Sequence, residues 1–278
     1  MNCEFNYVQL LMITGEKEVY DLSHYEAIMG RLRRSPLKNI TLLKMMTAYH
    51  TQIDSTLIEQ QDHWGVLLMM PAVTFPYDHR TYTEADTVVL MDYSSPEVFP
   101  ALLKLLPRDA RLVFKLQEDA YRQALEPYFT LHKVRSLYSY STAEGQTFSA
   151  DGACIVSEAM DERLLPLWMA NDYSQGEISQ FFQEGAFSVS LFEGDMPIST
   201  CMVFRNEESV WEIGAVHTSA AARKNGLAQR VVRTALYHTL QRGYIPRYQV
   251  LEDNLASIRL AESIGLTPAV KLEHWINY

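Results

Sequence analysis

Apolar residues fall in short runs of strand length, separated by segments in which they recur every three or four positions. In the second half the runs are 186–192 (AFSVSLF), 198–204 (ISTCMVF), 209–218 (SVWEIGAVHT) and 248–251 (YQVL), rich in β-branched and aromatic residues. EGDMP and RNEES separate the first three, and such turn-forming breaks predict an antiparallel meander. Val231, Val232, Ala235, Leu236 and Leu240 then recur at helical spacing, with Gly243 placed to cap the helix. After YQVL, residues 255–264 predict a shorter amphipathic helix closed by Gly265, and AVKLEHWINY offers a last strand.

The first half has related punctuation. GVLLMM (65–70) and TVVLMDY (87–93) read as buried strands, SPEVFPALLKLL as a helix, RLVFKL as a strand, EDAYRQALEPYF as a helix and TLHKVRSLYSY as a strand. The second half repeats that order from Trp211 onward, which suggests a degenerate duplication. The small, polar stretch STAEGQTFSADG places a boundary near Gly145. The expected architecture is an α/β fold with a mixed sheet, in two tandem halves of residues 1–145 and 146–278.

Composition narrows the function classes. The chain is 47% hydrophobic and 21% charged, without low-complexity tracts, as globular proteins are. Its longest apolar run, near residues 65–73, is far shorter than a bilayer span, and MNCEFNYVQLL lacks the basic start of a signal peptide. A soluble, cytoplasmic protein without a membrane partner is therefore expected. A net charge of −10 argues against a nucleic-acid partner, which would demand basic patches. Cys3, Cys154 and Cys201 are widely separated and suggest neither a disulfide framework nor a zinc site. The histidines form no HExxH pair, and GxSxG, GxGxxG and GxxxxGK[ST] are all missing, so no metal or nucleotide loop is expected.

The most informative stretch is the charged turn between the strand ending at Thr218 and the helix that follows. A helix N-terminus exposes unpaired N–H groups and the positive end of a dipole, and so attracts phosphate if the backbone can be approached. Gly226 and the small Ala228 permit that approach, while Arg223 and Lys224 add charge. An ordinary turn with a solvated basic rim remains the alternative.

Arg223, Gly226 and Ala228 match the pattern [Q/R]xxGx[G/A], and NLASIRLAESIGL approaches NxxSxxLYxxxGF through Asn254, Ser257, Leu260 and Gly265. On these two motifs residues 150–278 resemble the GNAT superfamily of acyl-CoA-dependent N-acyltransferases, and look most like its glycine N-acyltransferase and FR47-like branch. The resemblance implies a GNAT fold and an acyl-CoA co-substrate, acetyl-CoA in the commonest case. It implies that Ala215, Val216, His217 and Thr218, splayed from YQVL, face the pantetheine arm. Arg223, Lys224, Asn225, Gly226, Leu227 and Ala228 would hold the pyrophosphate. Asn254 would hydrogen-bond the pantetheine or the chain end near it, with Ser257 supporting; the residues themselves also read as a helix-capping pair, which is compatible with that contact.

Transfer to a primary amine needs a base, because most amines are protonated at neutral pH. Glu212 is the candidate. It lies in an otherwise apolar strand, where the period of two groups it with Val210, Gly214 and Val216, and apolar surroundings would raise its pKa. Gly214 would leave room beside it. The resemblance points to the same residue, since the catalytic Glu of related branches stands eleven positions before the first motif, as Glu212 does before Arg223. A solvent-facing carboxylate, or one paired with an arginine, is the alternative. The Tyr that many relatives place after the motif leucine is Ala261 here, so the proton donor to the thiolate is unassigned. Cys201 has no evident partner base and is not expected to carry an acyl group.

The acceptor, a small-molecule or peptide amine, would lie among the early helices near residues 164–182. There Leu164, Leu165, Trp168 and Met169 have core spacing, and Trp168, Tyr173, Phe181 and Phe182 supply rings. Two non-enzymatic readings stay open, an acyl-CoA sensor and an interaction scaffold.

Overall fold

The computed structural model describes residues 22–171 and 173–278. The apolar runs of the first half form β1 (Asp54–Gln60), β2 (His63–Pro71), β3 (Thr87–Tyr93), β4 (Leu112–Leu116) and β5 (His132–Ser141). Those of the second half form β6 (Ile155–Ser157), β7 (Phe187–Glu193), β8 (Met196–Arg205), β9 (Val210–Thr218), β10 (Ile245–Leu251) and β11 (Thr267–Ile276). Among the described residues these eleven strands make one mixed sheet, ordered β1-β2-β3-β4-β11-β5-β10-β9-β8-β7-β6.

Helices cover both faces, which is why central strands such as β3 are nearly continuous apolar runs. In the first half α1 (Leu22–Leu32), α2 (Ile40–Tyr49) and the segment around α3 (Pro76–Thr81) pack on Val66, Leu68, Val88 and Leu90. The alternate positions Leu67, Val89 and Met91 meet α4 (Phe99–Leu103) and α5 (Asp119–Leu125) on the other face. In the second half α6 (Leu165–Met169) and α7 (Gln175–Gln183) pack over Met202 and Phe204. There α8 (Leu227–Gln241) and α9 (Leu255–Ile264) cover Cys201, Val203 and Ile213 opposite them. Leu164 and Trp168 enter the core as their spacing predicts, but Met169 is exposed because α6 stops there. Cys154 and Cys201 are free thiols, and Cys3 lies outside the described residues, as does the segment read for a signal peptide.

The pairing repeats in the two halves of the sheet. Strands β1 to β4 pair antiparallel, antiparallel and parallel, and so do β7 to β10. The strand that would complete each set is exchanged: β11 lies antiparallel on β4, and β5 lies antiparallel on β10. At the centre β5 and β11 pair with each other, from Thr267↔Ser141 to Ile276↔His132. This exchange brings α2 and α7 to one side of the central strands, where their side chains roof a shared cavity.

Candidate active site

The site begins where β9 leaves β10. Their parallel ladder spans Ile245↔Val210, Pro246↔Trp211 and Arg247↔Glu212, after which β10 continues on β5 alone. The splay expected for residues 215–218 is therefore present. Ala215 has φ +49°, and the β8–β9 register slips between Thr200 and Met202. Two residues thus oppose one, a bulge that resets the alternation of faces. Val216 consequently packs with Ile213 on the α8 side, whereas Ala215 joins the α6/α7 cluster. The grouping of Glu212 with Val216 on one face is corrected by this bulge.

Beyond the splay, Val216, His217 and Thr218 line a cleft of about 650 Å³ with Arg223, Lys224, Gly226, Leu227, Ala228 and Ser257. No side chain caps the N-terminus of α8, which starts from Gly226 at φ +72°. Its first-turn N–H groups therefore face the cleft as donors, with the positive end of the helix dipole behind them. Lys224 also has positive φ, +67°, a conformation that non-glycine residues rarely hold. Arg223 is held over the turn by its Nε–H, which donates to the Thr218 carbonyl at 3.1 Å. Sequence reasoning missed Arg259 and Asn171, which also line the cleft. Three expected residues are elsewhere. Asn225 braces the turn by donating to the Ala222 carbonyl at 3.4 Å, and Ala215 lies behind the bulge. Asn254 caps α9, its Oδ1 accepting from the Ser257 N–H at 3.1 Å. Capping is therefore the observed contact of that pair, with Ser257 alone on the cleft wall.

Glu212 lies on the other side of the splay, in a cavity of about 370 Å³ between the two halves. Its neighbours are polar, contrary to the expected apolar surroundings: Oε2 accepts from Arg247 Nη1 and from Asn206 Nδ2, each at 2.5 Å. The charges of Glu212 and Arg247 thus cancel within the protein, and Arg247 donates further to Ser139 Oγ at 3.0 Å. Nor does Gly214 leave a vacant space. A Cβ there would meet Phe204 Cε1 at 2.8 Å and the Tyr173 hydroxyl at 2.9 Å. Tyr173 hydrogen-bonds the backbone of Ala215, and burial, then the Glu212 charge, push its pKa far above the ordinary value. A protonated hydroxyl is thereby held at the bulge. Tyr173 and Phe181 line the cavity, while Trp168 is core and pairs with Phe182.

At the far end His274 of β11 is 3% exposed, with Nδ1 bonded to the Tyr82 hydroxyl at 2.5 Å and Nε2 unpartnered. Burial, then the charges of Lys115 and Arg135, lower its pKa well below 6.5. The unfolded chain therefore binds a proton below about pH 6.5 that the folded chain refuses, and stability falls as pH falls. We expect this residue to contribute a slope of up to about 1.4 kcal/mol per pH unit below that point. Thermal unfolding from pH 7 to 5 should show a shallower loss in His274→Gln than in the wild type; equal slopes would refute the assignment.

The first half has a counterpart to the splay, and it is filled. Gln117 Nε2 donates to the Met91 carbonyl at 3.0 Å. Asp92 accepts from the Tyr121 hydroxyl at 2.5 Å and pairs with Lys38 at 2.8 Å. Buried side chains thus occupy the place that the second half leaves open between its strands.

A model of the acetyltransferase (GNAT) family matches residues 156–266. Match and sheet together support the GNAT superfamily. Solved structures agree on the fold. The tandem GNAT protein from the clavulanic acid biosynthesis pathway is 9% identical at a TM-score of 0.53, over 92% of this chain and 95% of its own. The GCN5-related N-acetyltransferase from Kribbella flavida is 13% identical at 0.52, over 90% and 95%. The GCN5-related N-acetyltransferase from Sphaerobacter thermophilus is 13% identical at 0.51, over 76% of each chain. At such identities these likenesses speak for the fold alone. No curated protein matches the chain. Among the described residues no helix is long and apolar enough to cross a membrane, and no group of His, Cys, Asp and Glu is placed to hold a metal ion.

Proposed function

We propose that the protein is an acyl-CoA-dependent N-acyltransferase, acetyl-CoA being the first donor to test, with the second half as the catalytic unit. The carrying observation is the uncapped N-terminus of α8 at the mouth of the β9/β10 splay, flanked by Arg223, Lys224 and Arg259. The donor set suits a pyrophosphate: backbone N–H groups, guanidinium and ammonium on one wall of a cleft of about 650 Å³. An acyl-CoA bound there supplies an activated thioester. We retain the division into units 1–145 and 146–278, the cytoplasmic setting, and the glycine N-acyltransferase-like branch as parts of this reading.

The residues divide the proton work. Glu212 is fixed through Oε2 by Arg247 and Asn206, which leaves Oε1 to accept the amine proton directly or through a water. As the C–N bond forms and the C–S bond breaks, the departing sulfur needs a proton. Tyr173 fills the role that Ala261 cannot, because its hydroxyl is protonated and lies at the bulge. Backbone N–H groups near Val216, beyond the one that Tyr173 engages, polarise the thioester carbonyl. Tyr173→Phe should lower kcat about 100-fold and steepen the dependence on leaving-group pKa, read with a series of acyl thioesters; an unaltered kcat would remove Tyr173 from the chemistry.

Thiol release from acetyl-CoA with a panel of primary amines tests the reading as a whole. Amine-dependent release supports transfer. Binding without release by any amine favours a sensor, the second reading that Ala261 keeps in view.

A further inference from the structure

The cavity that holds Glu212 is larger than an amine requires, and its chemistry changes along its length. Its floor is one face of the sheet across the exchanged strands. Glu212 and Arg247 stand at one end, Leu251, Leu137 and Leu272 in the middle, and Arg135 and His274 at the other, where they are register partners. The first end is electrically balanced by the Arg247–Glu212 pair, and Lys115 is balanced by Asp78 at 2.7 Å. Arg135 is different. Among the described residues it has no carboxylate within ion-pair distance, and its guanidinium lies 5.6 Å from the Tyr77 ring centroid. Beside it His274 offers a buried Nε2 without a partner, and an unsatisfied buried nitrogen costs about 1–3 kcal/mol. A half-buried cation and an unpartnered nitrogen on the wall of one cavity are complementary to an anion.

The span sets the ligand's length. Across the sheet β9 and β11 are three spacings, roughly 14 Å, apart; along the strands Arg247, beside Glu212, is level with Ser141, six residues or roughly 20 Å from Arg135, so the backbones of the two ends lie roughly 24 Å apart. Side chains that reach inward from both ends shorten the gap. We propose that the acceptor is a primary amine joined through an apolar segment to a carboxylate on the order of 15 Å away, with Arg135 and His274 Nε2 holding the carboxylate. This rests on the acyl-transfer reading for the role of Glu212. A free α-amino acid is too short to reach both ends, so the exchanged strand β11 acts as a ruler for the acceptor.

The test compares 12-aminododecanoate, n-dodecylamine and glycine as acceptors of the acetyl group, with octanoate binding measured separately by calorimetry in the presence of CoA. The wild type should prefer 12-aminododecanoate to dodecylamine at least 10-fold in kcat/KM and to glycine by more. Arg135→Gln should bring the first ratio close to one, with Arg135→Lys restoring part of it, and should weaken octanoate binding by a similar factor. Transfer to dodecylamine with no preference for the carboxylate overturns the inference and leaves acyl transfer standing. Octanoate binding that depends on Arg135, with no transfer to any amine, upholds the anion site and sinks the acyl-transfer reading. Octanoate binding that Arg135→Gln leaves intact also overturns the inference.

Discussion

The double variant Arg223→Ala, Gly226→Glu should bind acetyl-CoA at least about 100-fold more weakly than the wild type, a loss of about 2.7 kcal/mol. Three effects act together. Removing the guanidinium deletes a charge-assisted contact worth about 1.5–3 kcal/mol. Glutamate at position 226 must adopt φ near +72°, which a side chain with a Cβ tolerates poorly. It also sets a negative charge against the N–H groups that would otherwise receive phosphate. Calorimetric titration reads the affinity, and Gly226→Ala separates strain from charge, with an expected cost of about 1–2 kcal/mol. Wild-type affinity in the double variant would refute a cofactor role for the turn.

Glu212→Gln should reduce kcat by about 10²- to 10³-fold, within the range for loss of a positioned base, with acetyl-CoA affinity altered less than twofold. Glutamine keeps an oxygen to accept from Arg247, so the buried guanidinium stays hydrogen-bonded, but it loses its counter-charge and the variant should be less stable than the wild type. Steady-state kinetics separates two roles. A fall in kcat at constant KM for the amine marks proton transfer, whereas a rise in KM at constant kcat would show that the carboxylate only binds the ammonium. Full activity would leave the Arg247–Glu212 pair as a structural brace.

The strands were legible because each is a short apolar run closed by turn residues; 87–93 forms β3 with the bounds that its pattern suggests. The turn from Arg223 to Ala228 was legible for a similar reason, its signal being local. What escaped depends on residues far apart in sequence. Periodicity assigns faces within a strand and says nothing of which strand lies beside it, so the exchange of β5 and β11 was hidden, as was the identity of the arginine that pairs with Glu212. The bulge at Ala215 broke the period of two at the position where the faces of the catalytic strand were being counted. With sixteen tyrosines in the chain, only the fold could single out Tyr173. Residues 22–60 gave few cues: β1, DSTLIEQ, has only two large apolar side chains.

The exchanged strands also bear on how the chain is made. The strand that lies on β4 is not synthesised until everything from β5 to α9 has left the ribosome, so the first half must wait with one side of β4 unpaired. Contacts of such long sequence separation slow folding, and an open sheet edge invites association with other chains. Expression of residues 1–145 alone would then give an aggregation-prone fragment, whereas co-expression with residues 146–278 would let the two pieces trade strands and recover a soluble pair.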